Sequence, residues 1–274
     1  MRDGFTLNAI LYDVALTAYI VATATALGYL LGRREGLSRL TSLMTQAGWL
    51  FHTLALTVRG LELGRVPLLT LPEVVSAVIW VAVLLALWAE RQYELKVLGA
   101  FVLPVVLMLG LALPTGLRAL VLEPRIRSVW IIVHVALALI GLAALVLNFA
   151  GAVMYVLQER QLKAKRPGAV YYRLPSLETL DRLTYRTLTL GFPFLTAGLL
   201  LGVLWAGTAW GSLLTFDPLA LSSILMWVIY ATTLSGRAIG WWRGRRAAYF
   251  AIVGFGVLLL MLGAGVLLQG RHGS

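Results

Sequence analysis

Apolar stretches close to the length of a bilayer-spanning helix recur eight times along the 274 residues. A helix rises 1.5 Å per residue, so a hydrocarbon core of about 30 Å takes roughly 20 residues. The stretches predict spans over residues 7–31, 41–60, 71–89, 95–114, 128–157, 183–206, 219–234 and 247–268. Within hydrocarbon every backbone N–H and C=O must be satisfied inside its own segment, which selects helices. The expected fold class is all-α, a polytopic integral membrane protein with about eight transmembrane helices and both termini outside. One transmembrane domain is expected over 1–274.

The polar positions between these stretches set the expected orientation. Lys and Arg collect in the short loops on the cytoplasmic side. With both termini outside, sixteen of the 23 Lys and Arg fall in inside segments and seven outside. Among the outside ones, Arg118, Arg125 and Arg127 make a single basic loop. The longest inside segment covers 158–182. Arg166-Pro-Gly168 is expected to end the fifth helix there, with Ser176 or Thr179 as the N-cap of the next helix. A helix lying on the membrane surface is also expected in this segment. The first stretch lacks a basic leader region, so it reads as a retained span.

Composition sharpens this picture. The chain is 60% hydrophobic and 13% charged, whereas soluble domains average about 25% charged. The formal charge of +11 therefore reads as topology and contact with membrane lipid, not as a nucleic-acid partner. There is no cysteine, which excludes thiol–disulfide chemistry and thiolate-bound metals within the chain itself. The expected location is the bacterial cytoplasmic membrane.

So apolar a chain has few groups that bind a metal or move a proton. Its three histidines are His52, midway along the second span, His134, near the outer start of the fifth, and His272, after the last. The outer link between the sixth and seventh spans is expected over 205–218. It carries Trp205, Trp210, Phe216, Gly207 and Gly211, then Asp217 and Pro218. Imidazole is a strong iron ligand, and a haem takes axial ligands on opposite faces. Flat aromatic side chains suit its ring, and arginines suit its propionates. Plainer readings stand beside these. An intramembrane histidine also serves as a hydrogen-bonded strut, and Trp205 and Trp210 as interfacial anchors. His272 also reads as a tail residue, the outer arginines as lipid-phosphate contacts, and Asp217-Pro218 as a helix start.

The segment Trp210-Gly-Ser-Leu-Leu-Thr-Phe-Asp-Pro218 resembles the tryptophan-rich WGxxWxWDP signature of the cytochrome c assembly protein family. That family includes the CcsA (ResC), CcmC and HemX-type membrane proteins. Other segments resemble it in order: Trp49 to Leu54 around His52, Pro67 to Ser76 around Glu73, Ser128 to Val135 around His134, Gly240 to Arg246, and Gly265 to His272. The resemblance implies that His134 and His272 ligate haem iron from both sides. It places Trp210, Gly211, Phe216 and Asp217 in the platform under the ring; Trp205 and the arginines Arg118, Arg125 and Arg127 join the candidate site by their chemistry and topology alone. It makes His52 an intramembrane site on the haem's route. The chain departs from the pattern at Leu214 and Phe216, where the signature has tryptophan. Leu219-Ala220 replaces the Lys-Glu that often comes next, and Ser235 stands where CcsA-like chains often carry histidine.

The leading expectation is a membrane protein that binds haem b through two histidines and delivers it on the outer face for cytochrome c maturation. It would act as a carrier or as part of a lyase complex more than as a stand-alone enzyme, with apocytochrome c and a CcsB (ResB)-type subunit as partners. The first alternative is a HemX-type regulator acting on glutamyl-tRNA reductase abundance. The second is a haem-free transporter or structural membrane protein.

Overall fold

The structure is a computed structural model that describes residues 6–32, 34–111, 129–164, 168, 170–210 and 218–271. At 206, 208–210, 218–220 and 261–271 only the backbone is described. Every regular element among the described residues is an α-helix: α1 (Leu7–Gly32), α2 (Glu35–Leu63), α3 (Leu71–Tyr93), α4 (Gly99–Leu111), α5 (Val129–Lys163), α6 (Leu177–Trp210), α7 (Pro218–Ala238) and α8 (Arg245–Arg271). Each predicted span overlaps one of them; of the fourth, 95–98 precede α4 and 112–114 lie outside the described residues. By length and apolarity alone, α1, α3, α5 and the 177–205 part of α6 qualify as membrane-crossing helices among the described residues, and α4 is a shorter apolar helix. The chain is a polytopic all-α protein. Large apolar side chains such as Leu31, Leu61, Leu200 and Leu260 stay exposed, as helix faces turned to lipid require.

Two expectations are corrected. Between α5 and α6 the described residues form turns and no separate surface helix. The polar sequence is taken up instead by α5 running on to Lys163 and by α6 starting at Leu177. That start puts Ser176 in the N-cap position and Thr179 inside the first turn. The outer link is also shorter than the sequence suggested, because α6 continues through Trp210. Trp205 is thus a helical residue, and nothing polar interrupts the apolar run before it.

The chain divides into two compact units. Unit 1 is Met1–Glu123 with Arg160–Ser176, and unit 2 is Pro124–Glu159 with Leu177–Ser274. In unit 1, α1 buries Ala15, Tyr19, Ala22, Thr23 and Ala26. α2 buries Ser38, Thr41, Thr45, Gly48, His52 and Ala55. Both sets recur at three- and four-residue spacing, so each helix offers a stripe of mostly small side chains that lets backbones approach. The Tyr19 ring lies on Gly48, where an added Cβ would sit 2.7 Å from it. Thr41 Oγ1 donates to Thr25 Oγ1 at 2.9 Å. Trp49 stacks on Trp80 of α3 with centroids 5.5 Å apart, and Trp80 Nε1–H donates to Thr53 Oγ1 at 2.7 Å.

The entry to α3 is fixed by a capping box. Thr70 Oγ1 accepts from the Glu73 N–H, and the Glu73 carboxylate accepts from the N–H groups of Thr70 and Leu69. Arg65 clamps the same carboxylate through both terminal nitrogens, at 2.9 and 3.0 Å. Glu73 is buried, and this fork is what makes a charge tolerable there.

In unit 2, α5 and α6 run antiparallel in close contact. Thr184 meets Gly151, Ala144 meets Gly191, Leu195 meets Gly141 and Ala138 meets Gly198. A Cβ built at Gly141 would lie 3.0 Å from the Leu195 backbone nitrogen. The buried Asn148 side chain uses this proximity to donate to the Thr184 carbonyl at 2.6 Å. Leu145, Leu188, Leu195, Met226 and Tyr230 form the core that joins α5, α6 and α7. Phe149 stacks on Phe255 of α8 with centroids 4.5 Å apart.

These contacts set the outcome of two substitutions. Gly141→Val overpacks the α5–α6 contact and destabilises the protein by about 1–3 kcal/mol. Gly36→Ala, at a helical glycine with open space around it, does not; melting of both variants in detergent is the comparison. Glu73→Ala strands the Arg65 guanidinium and costs about 3 kcal/mol, measured the same way.

Candidate functional site

His134 sits one and a half turns into α5, on the face turned to α6. Its ring lies against Gly202, where a Cβ would be 2.6 Å from Cε1 and 2.8 Å from Nδ1. Only a residue without a side chain leaves room for an imidazole there. One turn earlier on α6 is Gly198, whose carbonyl oxygen lies 2.6 Å from His134 Nδ1. A carbonyl only accepts, so Nδ1 carries the proton. In the neutral ring that leaves the lone pair on Nε2. Among the described residues nothing hydrogen-bonds Nε2. Metal-binding histidines are commonly held this way, with the second nitrogen donating to a carbonyl or carboxylate that fixes tautomer and ring plane.

The neighbouring surface is aromatic and apolar. Trp130 is one turn before His134 on α5, and Leu201, Leu204 and Trp205 flank Gly202 on α6. These four side chains line a cavity of about 180 Å3. Trp130, Leu201 and Leu204 are not singled out by the sequence. The available signal was spacing: Trp130 is four residues from His134, and Gly198 and Gly202 form a small-xxx-small pair.

His52 occupies a different kind of site, within unit 1. It is completely buried. Its Nε2 lies 2.8 Å from Ser76 Oγ of α3, and its Nδ1 lies 3.4 Å from the Tyr19 hydroxyl of α1. Tyr12 packs edge-on against the ring with centroids 5.4 Å apart. Both nitrogens are engaged, so the imidazole as seated offers no free lone pair to a metal.

The other candidate residues divide simply. Trp210 is the last residue of α6, with only its backbone described. His272, Gly211, Phe216, Asp217, Arg118, Arg125 and Arg127 lie outside the described residues. α7 begins at Pro218, the residue after Asp217, as a proline at the first helical position would have it. Among the described residues no group of three or more His, Cys, Asp or Glu is placed to hold a metal ion. Among the described residues, His134 is the histidine with a ring nitrogen left without a hydrogen-bond partner.

At the other end of α6 the geometry is ionic. Arg237 of α7 is buried and pairs with Asp181 at 3.0 Å. It also donates to the Asp181 carbonyl at 3.1 Å and lies 5.0 Å from the centre of the Tyr185 ring. Asp181 Oδ1 accepts the Gly244 N–H at 3.2 Å. This network ties together α6, α7 and the turn before α8.

Comparison with known proteins bears on the whole chain. The family model described as Cytochrome C assembly protein matches residues 68–272. A protein of Guillardia theta named "Cytochrome c biogenesis protein CcsA" is 31% identical, with 80% of each chain covered. Proteins of the same name from Synechococcus sp. strain RCC307 and strain CC9605 are 30% and 31% identical. The alignments cover 94% and 87% of this chain, and 92% and 86% of those relatives. With a match across well over half of its length and relatives that align nearly end to end, the chain belongs to the cytochrome c assembly protein family.

Proposed function

We propose that the protein binds haem as cargo at the α5–α6 end that carries His134, and presents it there for cytochrome c maturation. The observation that carries this reading is the seat of His134: Nδ1–H held by the Gly198 carbonyl at 2.6 Å, with Nε2 left unpartnered. The apolar cavity beside it, walled by Trp130, Leu201, Leu204 and Trp205, suits the edge of a flat macrocycle. The named relatives, which are cytochrome c biogenesis proteins, support the same reading.

In this reading His134 supplies one axial ligand and His272 the other. Two histidines leave no open iron position, which suits carrying haem and not oxygen chemistry. Trp210, Gly211, Phe216 and Asp217 form the platform under the ring, and Arg118, Arg125 and Arg127 meet the propionates. His52 is left out of the ligand set, because Ser76 and Tyr19 hold both of its nitrogens; it serves as a polar lock among α1, α2 and α3. The whole chain works as one functional domain in the bacterial cytoplasmic membrane. Its 16-to-7 distribution of basic residues supports placing the His134 end outside.

Covalent attachment needs a thiol that this chain does not possess. A reduced cysteine of an apocytochrome would add S–H across a haem vinyl group, forming the S–C bond and passing the proton to the other vinyl carbon. The addition is redox-neutral once the cysteine is reduced. A CcsB (ResB)-type subunit is the expected partner in it.

The purified protein loaded with haem is expected to show a low-spin Soret band with sharp α and β bands on reduction. His134→Ala and His272→Ala convert or abolish that spectrum, and His52→Ala retains it. An unchanged spectrum in His134→Ala would remove it as a ligand. In a deletion strain, covalent c-type cytochromes disappear. Normal cytochromes with altered glutamyl-tRNA reductase abundance would point to the regulatory reading instead.

A further inference from the structure

The basic end of unit 2 holds a cavity that the haem reading does not use. It has a volume of about 670 Å3 and lies where α5 ends, α6 begins and the α7–α8 turn crosses. Its walls carry three carboxylates, from Glu159, Glu178 and Asp181, and three guanidinium groups, from Arg243, Arg245 and Arg246. Counted by residue type the cavity is neutral. Counted by pairing it is not. Asp181 is neutralised by the buried Arg237 at 3.0 Å, Glu178 by Arg182 at 2.8 Å and Glu159 by Arg245 at 3.5 Å. Among the described residues Arg243 and Arg246 have no hydrogen-bond or ion-pair partner. Two positive charges are therefore uncompensated at the cavity wall.

Three further features bear on what fills it. The first turn of α8 starts at Arg245, so its leading N–H groups have no acceptor within the helix. The turn that presents them is held by local contacts: Gly244 has φ +61°, its N–H donates to Asp181, and the Tyr155 hydroxyl sits where its Cβ would be. Trp241 stands at the rim, 76% exposed. A tryptophan between apolar helices and a basic turn is placed for the headgroup layer of a membrane. Positive charge, free backbone donors and an indole at that depth together fit a phosphate attached to a lipid.

We propose that this cavity is a phosphate site occupied by the headgroup of an anionic phospholipid. Arg243 and Arg246 contact the phosphate oxygens, the first turn of α8 donates N–H groups to them, and Trp241 lies along the glycerol and upper acyl region. The site does not depend on haem binding. It ties the α7–α8 turn, and through Asp181 the start of α6, to the membrane surface.

The test uses the full chain in neutral detergent, titrated with phosphatidylglycerol, phosphatidylcholine or inorganic phosphate alone, with thermal unfolding as readout. Phosphatidylglycerol is expected to raise the melting temperature saturably, and the other two are not. The double variant Arg243→Gln/Arg246→Gln weakens the apparent affinity roughly 25-fold, at about fivefold per arginine. Arg39→Gln, an exposed basic position of unit 1, leaves it unchanged. Both substituted arginines are exposed and unpaired, so the variant is expected to fold. A second readout is quenching by brominated phosphatidylglycerol, which should remove fluorescence present in the wild type and absent from Trp241→Phe. Equal protection by inorganic phosphate would overturn the lipid assignment. Equal affinity in the double variant, or equal loss in Arg39→Gln, would overturn the site.

Discussion

Along α5 and α6, five glycines face a partner residue so closely that an added Cβ would fit only if the neighbour shifted. Lipid tails are as apolar as leucine, so the hydrophobic effect does not drive two membrane helices together. Van der Waals contact at close range and interhelical hydrogen bonds must do so. The glycines make both available. They bring the backbones near enough for Asn148 to reach the Thr184 carbonyl and for His134 to reach that of Gly198, each at 2.6 Å. A slightly wider separation would leave the buried Asn148 and the partly buried His134 without these bonds, so the packing and the polar contacts stand or fall together.

The two histidines that the structure describes look alike in sequence. Each is a lone imidazole in an apolar run. Their settings differ because of what the partner helices bring. Around His52 the partners have hydroxyls, Tyr19 and Ser76, and the ring is consumed by them. Around His134 the partner has glycine and a backbone carbonyl, which engages one nitrogen and spares the other. The first arrangement locks three helices. The second leaves Nε2 without a partner.

The helices were legible because the apolar runs are close to the length a bilayer needs. The ends were less so. α6 runs through Trp210 because residues 205–210 are as compatible with helix as with loop, and an aromatic pair in the sequence does not say which. The position of His134 was legible as a polar residue in an apolar helix, but its tautomer was not, since Gly198 is 64 residues away. Nor was the pairing of each wall carboxylate near the α7–α8 turn. Residue counts there give a neutral patch, and only the spatial assignment of Arg237 and Arg182 reveals the excess charge.

The acceptor that orients His134 belongs to the main chain. No substitution at position 198 can delete it, and a bulkier residue can only push it away. Sequence drift at this site should therefore register as a ceiling on side-chain volume at 198 and 202, not as the exchange of one polar partner for another. Two diverging copies of this helix pair can differ at almost every other surface position and still leave the same nitrogen unpartnered. The instruction that selects the nitrogen is written in the absence of atoms.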